Sequence, residues 1–79
     1  MRAKVYITPK KGILDPQGAA IERALPALGF AGVGNVRVGK YIELDLPGGE
    51  DSVDEVDKMC QNLLANPIIE DFRYELVPG

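Results

Sequence analysis

Apolar and polar residues alternate in three stretches of the chain, which is the pattern of half-buried β-strands. The first stretch covers residues 3–7 and ends at Pro9, which cannot donate a hydrogen bond to a strand ladder. The last runs from about Ile68 to Leu76, with its aromatic residues at even positions. The middle stretch, residues 36–46, allows two interpretations.

All the apolar residues of the middle stretch have even numbers: Val36, Val38, Ile42, Leu44 and Leu46. A two-residue hairpin turn at Gly39-Lys40 would place the two halves on opposite faces, so one half would lose its burial. One long bent strand, or a three-residue loop, keeps a single apolar face. We favour the bent strand, with Gly39 as a bulge or a site of close backbone approach. Its overhanging half would offer an unpaired edge, where subunits can join.

Two other segments have the 3.6-residue spacing of amphipathic helices. Asp15 suits the N-cap of the first helix and Pro16 its first position. Its apolar positions are predicted to face a sheet: Ile21, Ala24, Leu25 and Leu28. Pro26 predicts a kink or an early end, and Gly29 closes the segment.

The second helix is predicted to begin with a capping box at Ser52 and Glu55. Its apolar stripe comprises Val53, Val56, Cys60, Leu63 and Leu64, and Asn66-Pro67 ends it. The order of elements predicts one domain over residues 1–79 of the α+β class. We expect a two-layer, ferredoxin-like sandwich: an antiparallel sheet with a long bent central strand and two helices on one face.

Composition indicates a small domain that gains stability from association. Seventy-nine residues bury only about 60% of the unfolded surface. With one Cys and no His, neither an internal disulfide nor a structural zinc site is expected, which leaves oligomerisation. A net charge of −3 argues against nonspecific nucleic-acid binding. No stretch has the apolar length of a membrane span or a signal sequence, so we expect a cytoplasmic protein.

The sequence GNVRVGKY, residues 34–41, partly matches a nucleotide-binding P-loop. Gly34, Gly39 and Lys40 fit, but Tyr41 cannot replace the Ser or Thr hydroxyl that binds Mg²⁺. The segment also alternates like a strand, whereas a P-loop is a turn that leads into a helix. The P-loop interpretation is therefore rejected.

Residues suited to catalysis are scarce. The chain has no His to act as a general base, and Ser52 is expected to cap a helix. Cys60 lies within an apolar helix stripe, where a free Cys behaves as a small hydrophobic residue. We therefore predict no catalytic, cofactor-binding or metal site, and a function in binding or assembly.

The strongest candidate for recognition is the loop of Lys10, Lys11 and Gly12, together with Arg37 and Lys40. The loop precedes a helix N-terminus, where free backbone N–H groups favour anions. The alternative is that Asp15 already caps the helix and the lysines are solvated.

Three blocks of the sequence resemble, in order and spacing, the signatures of the PurS subunit family of phosphoribosylformylglycinamidine synthase. They are KKGILDPQGAAIERAL, GNVRVGKYIEL and NLLANPIIEDF, and together they span nearly the whole chain. The resemblance adds Asn66 and Pro67 of the third block to the expected contact residues, beside Lys10, Lys11, Gly12, Asp15, Arg37, Gly39 and Lys40.

This resemblance implies a small noncatalytic subunit that forms a homodimer or a larger assembly. It would dock with a synthetase subunit, PurL, which uses ATP and Mg²⁺, and with a glutaminase subunit, PurQ, which releases ammonia. It would bridge the two and aid ammonia transfer in de novo purine synthesis. Because ferredoxin-like domains serve many roles, a stand-alone small-molecule or phosphate-binding regulatory module remains the alternative.

Overall fold

The structure is a computed structural model that describes residues 1–48 and 51–78. Three strands and two helices follow one another in the order strand, helix, strand, helix, strand. Their bounds are β1 Arg2–Pro9, α1 Pro16–Ala27, β2 Lys40–Asp45, α2 Ser52–Met59 and β3 Glu70–Val77. A π-helical turn, Cys60–Leu64, follows α2 directly. This composition confirms the predicted α+β class.

The three strands form one antiparallel sheet in the order β2-β1-β3. Val5 of β1 lies opposite Ile42 on one side and Tyr74 on the other, so the apolar residues of all three strands share one face. We call this the inner face. The opposite, outer face carries polar and aromatic residues such as Tyr6 and Tyr41.

Helix α2 and the π-helical turn cover the inner face. The core cluster comprises Ala3, Val5, Ile7, Leu46, Val56, Cys60 and Ala65. The residues on the two outer strands are only half-buried: Ile42, Leu44, Phe72, Tyr74 and Leu76. Part of the apolar inner face therefore remains open to solvent.

Local sequence signals account for both ends of α1. The Asp15 carboxylate accepts from the Gly18 N–H at 3.0 Å, and Pro16 occupies the first turn, as predicted. At the other end, Phe30 N donates to Leu25 O and Gly29 N donates to Pro26 O. These two bonds, with Gly29 at φ +95°, form a Schellman motif. Pro26 lies in the last turn, one residue before the helix ends at Ala27.

Helix α1 lies apart from this core. Ile21 is 44% exposed and Leu28 is 71% exposed, so the prediction that these residues pack on the sheet is wrong within one chain. The radius of gyration is 15.9 Å, whereas a compact chain of this length has about 12 Å. The longest dimension is 49 Å, which fits a helix that extends beyond its own sheet.

Three local predictions need correction. The long bent central strand is not confirmed, because β2 has six residues and lies at an edge of the sheet, and residues 36–39 lie outside it. Ser52 does not cap α2: it is buried as the first helical residue, and Asp51 is the N-cap, without a side-chain hydrogen bond. Leu63 is 83% exposed, because the π-helical turn changes the angular spacing after Cys60 and rotates Leu63 away from the core.

Candidate functional site

The nine residues predicted to make contacts lie around one end of the sheet, where β1 ends and β2 begins. Four of them are cations, Lys10, Lys11, Arg37 and Lys40, and we call this region the lysine end. Lys40 pairs with Ile7 near the end of β1. The Arg37 guanidinium donates to the backbone oxygen of Pro9 at 3.2 Å. The structure thus brings together residues that the sequence separates by up to 57 positions, from Lys10 to Pro67.

The first loop is fastened to the start of β3. Lys10 N donates to Ile69 O at 2.9 Å, and Lys10 Nζ lies 2.9 Å from Asp71 Oδ1. Gly12 has φ +88°, a left-handed conformation that glycine adopts without strain, and this turns the chain toward α1. Both Lys11 and Gly12 are exposed.

Asn66 organises the turn that precedes β3. Its Oδ1 accepts from Ile68 N at 3.1 Å, and its backbone oxygen accepts from Ile69 N and Glu70 N. Pro67 follows it and stops any further helical turn. Because Lys10 N donates to Ile69 O, the geometry of this turn also fixes the position of the first loop.

Two carboxylates of the first helical segment hold residues 36–38. Asp15 Oδ2 accepts from Val38 N at 2.8 Å, and Glu22 Oε1 accepts from Val36 N at 3.0 Å. These side chains supply the acceptors that β1 would have offered had it continued beyond Pro9. Sequence reasoning identified Asp15 as a cap but missed Glu22. The available signal was their seven-residue spacing, which places both on one helix face.

Glycines permit two close backbone approaches at this end. A Cβ at Gly39 would overlap the backbone oxygen of Ile7, which confirms the predicted close approach. A Cβ at Gly18 would lie 2.6 Å from Val36 O and would also meet the Asp15 carboxylate. Both contacts are too short for a side chain, so α1, residues 36–38 and β1 can meet only through glycine.

The exposed charge at the lysine end is mainly positive. Lys11, Arg37 and Lys40 are exposed. Four acids balance the cations in number, but three are half-buried and accept from backbone N–H groups: Asp15, Glu22 and Glu70. The fourth, Asp71, pairs with Lys10. The ammonium groups are therefore better placed than the carboxylates to meet a partner.

A cleft of about 620 Å³ lies between the first loop and residues 35–37. Asp15 faces it, and the N–H groups of Val38 and Gly18 lower the pKa of this carboxyl below its ordinary value. A carboxyl stabilised in its ionised form is a weak general base. At Asp15 the cleft therefore has the chemistry of a binding surface.

The outer face carries a row of side chains that sequence reasoning did not single out. The Arg73 guanidinium lies 3.9 Å from the centre of the Tyr6 ring, and the Tyr6 and Tyr41 rings are 5.1 Å apart. Tyr41 Oη donates to Glu43 at 2.7 Å, which raises the pKa of Tyr41 to about 12. The only signal for the row was the alternation within each strand, which places Tyr6, Tyr41 and Arg73 on the face opposite the apolar residues.

Three further features concern the described residues: the thiol of Cys60, possible metal ligands and possible membrane spans. Cys60 is buried in the core, and burial raises the pKa of its thiol, which disfavours the reactive thiolate. Across residues 1–48 and 51–78, the structure brings no three potential metal-ligating side chains together. No helix in these ranges has both the length and the apolar character needed to span a membrane.

An α+β domain with charged loops and an open apolar surface has the features of an assembly or binding module. A family profile described as "PurS: Phosphoribosylformylglycinamidine (FGAM) synthase" matches residues 2–78. The chain belongs to the PurS family. It is 45% identical over 76 residues to the Bacillus subtilis phosphoribosylformylglycinamidine synthase subunit PurS, covering 95% of this chain and 90% of that protein. It is also 44% identical over 77 residues to the Methanocaldococcus jannaschii subunit of the same name, covering 95% and 93%.

Solved structures share the fold. The B. subtilis PurS structure superposes with a TM-score of 0.85 at 44% identity, covering 98% of each chain. A chain of the PurLQS structure from Thermotoga maritima superposes with a TM-score of 0.73 at 28% identity, covering 98% of this chain and 99% of that one. The elongated arrangement seen here is therefore shared with experimentally determined relatives.

Proposed function

We propose that this chain is the noncatalytic assembly subunit of phosphoribosylformylglycinamidine synthase in de novo purine biosynthesis. It forms a homodimer and joins a synthetase subunit, PurL, to a glutaminase subunit, PurQ. By holding the two together it aids the passage of ammonia from one to the other. The assembly is cytoplasmic, and its synthetase subunit uses ATP and Mg²⁺.

The observation that carries this proposal is the lysine end. Three exposed cations lie beside loops that are locked by backbone hydrogen bonds, with no general base among them. Exposed cations on hydrogen-bonded loops suit recognition of a partner's carboxylates, because little backbone entropy is lost when the contact forms. The PurLQS relative, in which a PurS chain occurs together with the two larger subunits, supports the same role.

Homodimer formation is supported by the apolar surface that one chain leaves open. The inner face is half-covered, and α1 presents Ile21 and Leu28 to solvent. Large exposed apolar patches mark interaction sites in soluble proteins. A second copy offers the same surfaces in return, as a two-fold interface requires.

The contact role of the lysine end is tested with two charge reversals, Lys10→Glu and Lys11→Glu. We expect both to slow glutamine-dependent synthesis by the reconstituted synthase while synthesis from added ammonia stays near the wild-type rate. Lys11→Glu leaves the Lys10–Asp71 ion pair intact, so it separates the partner contact from the effect of that pair. Loss of an interfacial ion pair typically costs about 2–5 kcal/mol of binding, whereas exposed substitutions change stability by about 0.5 kcal/mol or less.

The matched control is Lys58→Glu, an exposed lysine in the last turn of α2. It makes the same charge change away from the lysine end. If both lysine-end variants support the glutamine reaction like Lys58→Glu over a range of subunit concentrations, the lysines are merely solvated. Calorimetry of the isolated chain with ATP and glutamine distinguishes the assembly subunit from a stand-alone regulatory module, because such a module would bind one of these ligands without the other subunits.

A further inference from the structure

The segment between α2 and β3 exposes four apolar side chains within seven residues: Leu63, Pro67, Ile68 and Ile69. Leu63 and Ile68 are each 83% exposed. Single exposed apolar residues are common on soluble proteins, whereas larger apolar patches mark interaction sites. Four such residues around one turn are a local concentration of apolar surface, and we call these four residues the apolar tip.

The π-helical turn directs Leu63 outward. Ala65 N donates to Cys60 O at 3.0 Å, a bond that spans five residues where an α-helix spans four. In a regular helix, Leu63 would follow the buried Val56 by seven residues and share its face. Turns of this kind are rare and frequently occur at functional sites. The backbone therefore departs from regular helical bonding in the segment that displays Leu63.

Ile68 is held by the turn that Asn66 organises. Asn66 Oδ1 accepts from Ile68 N at 3.1 Å, and Asn66 N donates to Glu70 Oε1 at 2.7 Å. Pro67 lies between them and has a fixed φ. These constraints order the backbone of the tip within a single chain, so little backbone entropy is lost when a partner covers it.

The apolar tip borders the lysine end. Lys10 N donates to Ile69 O, so the first loop, with the exposed Lys11, begins beside the tip. The two carboxylates that follow in the sequence are engaged: Glu70 accepts from a backbone N–H group, and Asp71 pairs with Lys10. Protein interfaces commonly have an apolar centre and a polar rim. Here the exposed charge on the rim is mainly positive.

We infer that the apolar tip docks into an apolar pocket of a different chain, and that carboxylates on the rim of this pocket meet Lys11. Charge disfavours a second copy as the occupant. In a two-fold interface each patch faces itself, so a copy docked at the tip would bring two lysine ends together, and like charges oppose association. The inference rests on the proposed function, because the different chain is one of the two larger subunits of the synthase.

The test replaces the two most exposed residues of the tip by glutamine. Glutamine retains good helix propensity, but its amide disfavours burial in an apolar pocket. Titration calorimetry of each variant with the synthetase and glutaminase subunits measures the dissociation constant. Burial of one leucine or isoleucine is worth roughly 10- to 100-fold in affinity. We therefore expect Leu63→Gln and Ile68→Gln each to raise the dissociation constant at least about 10-fold, and the double variant at least about 100-fold.

Salt separates the apolar contact from the ionic one. The loss of affinity caused by Leu63→Gln should persist when the salt concentration is raised. The loss caused by Lys11→Glu should shrink, because salt screens exposed charges. A loss at Leu63→Gln that salt abolishes would show that this side chain is not buried in an apolar contact.

The matched control is Val53→Gln, because Val53 is 50% exposed near the start of α2. If the wild-type chain binds neither larger subunit, the proposed function fails. If the wild-type chain binds but Leu63→Gln and Ile68→Gln bind as well as Val53→Gln, the apolar tip is not the docking surface and the proposed function stands. Both variants should sediment like wild type on their own; a loss of self-association in place of partner binding overturns the choice of occupant.

A second measurement does not depend on lost binding. Ile68→Cys supplies an exposed thiol in a chain whose own Cys60 is buried. Its alkylation by a maleimide should slow when the larger subunits are added in excess, whereas alkylation of Val53→Cys should keep its rate. An unchanged rate at position 68 in a complex that has formed contradicts the inference, as does equal protection at position 53.

Discussion

At the scale of single residues, Asp15 connects its own loop to the start of α1 and to the segment before β2. Its two oxygens accept from Gly18 N and Val38 N, so one carboxylate both starts α1 and holds the segment before β2. These bonds lower the pKa of Asp15. Because the ionised form is favoured in the folded chain, folding is stabilised above the unfolded pKa, and this contribution disappears as the pH falls through the lowered folded pKa.

We predict that Asp15→Ala lowers the melting temperature more than Asp51→Ala does. Asp51 caps α2 without a side-chain hydrogen bond, so it is a matched control for the removal of a capping carboxylate. Asp15→Asn should fall between wild type and Asp15→Ala at neutral pH, because an amide oxygen can still accept. Its deficit relative to wild type should shrink as the pH falls through the lowered pKa, and a deficit that grows on acidification would contradict this account.

Gly39 gives a second residue-scale prediction. Gly39→Ala places a methyl group against the Ile7 backbone oxygen, which cannot move without distorting the central strand. We expect a loss of roughly 1–3 kcal/mol in unfolding free energy, the usual cost of overpacking. Gly34→Ala is the control, since a Cβ there meets no other atom. Urea titrations that rank the two substitutions equally would show that the backbone yields at Gly39.

Residue roles were predictable where their signal was local. The cap at Asp15 and the close approach at Gly39 follow from neighbouring residues and from strand parity. Glu22 was missed because its partner, Val36 N, lies 14 residues away. The end of the second helical segment at Asn66-Pro67 was predictable from the sequence. The hydrogen bond from Lys10 N to Ile69 O was not, because it depends on the sheet register and cannot be deduced from either segment alone.

At the scale of elements, α2 and the π-helical turn after it supply the helical residues of the core cluster in the described part of the chain. The predicted capping box of α2 is wrong because Asp51 occupies the N-cap position, so that Ser52 lies buried as the first helical residue. The length of the middle strand was overestimated for a different reason. The even or odd number of a residue indicates only which face it occupies. Residues 36–38 keep the alternation of a strand, but the N–H groups of Val36 and Val38 bond to side chains instead of a neighbouring strand.

We predict that two valines of α2 differ sharply in their importance. Val56 is fully buried and Val53 is 50% exposed, although they lie one turn apart on the same helix. Removing two buried methyl groups costs about 0.8 kcal/mol each plus a cavity term, so Val56→Ala should destabilise the chain by roughly 2–3 kcal/mol. Val53→Ala should stay within about 0.5 kcal/mol. Comparable losses in chemical denaturation would mean that Val53 is covered in solution.

At the scale of the whole molecule, the extended shape follows from a division of roles between the two helices. Helix α2 covers the sheet of its own chain, whereas α1 is tied to a segment that has left that sheet. The amphipathic pattern of α1 correctly predicted a helix. It could not reveal whether the apolar face packs on the sheet of the same chain, because the pattern is the same for a face that a second copy would cover.

The last prediction concerns that face of α1. Ile21→Asp places a charge in the exposed apolar face of α1, which the proposed homodimer would bury, whereas Ala20→Asp places the same charge about 100° away around the helix. Burial of an isoleucine contributes ~1.5–3 kcal/mol, and a two-fold dimer contains two, so the dissociation constant of the Ile21→Asp dimer should rise at least about 100-fold. Sedimentation equilibrium measures this, with circular dichroism to confirm that α1 still forms. If both variants dimerise like wild type, α1 does not contribute its apolar face to the dimer interface.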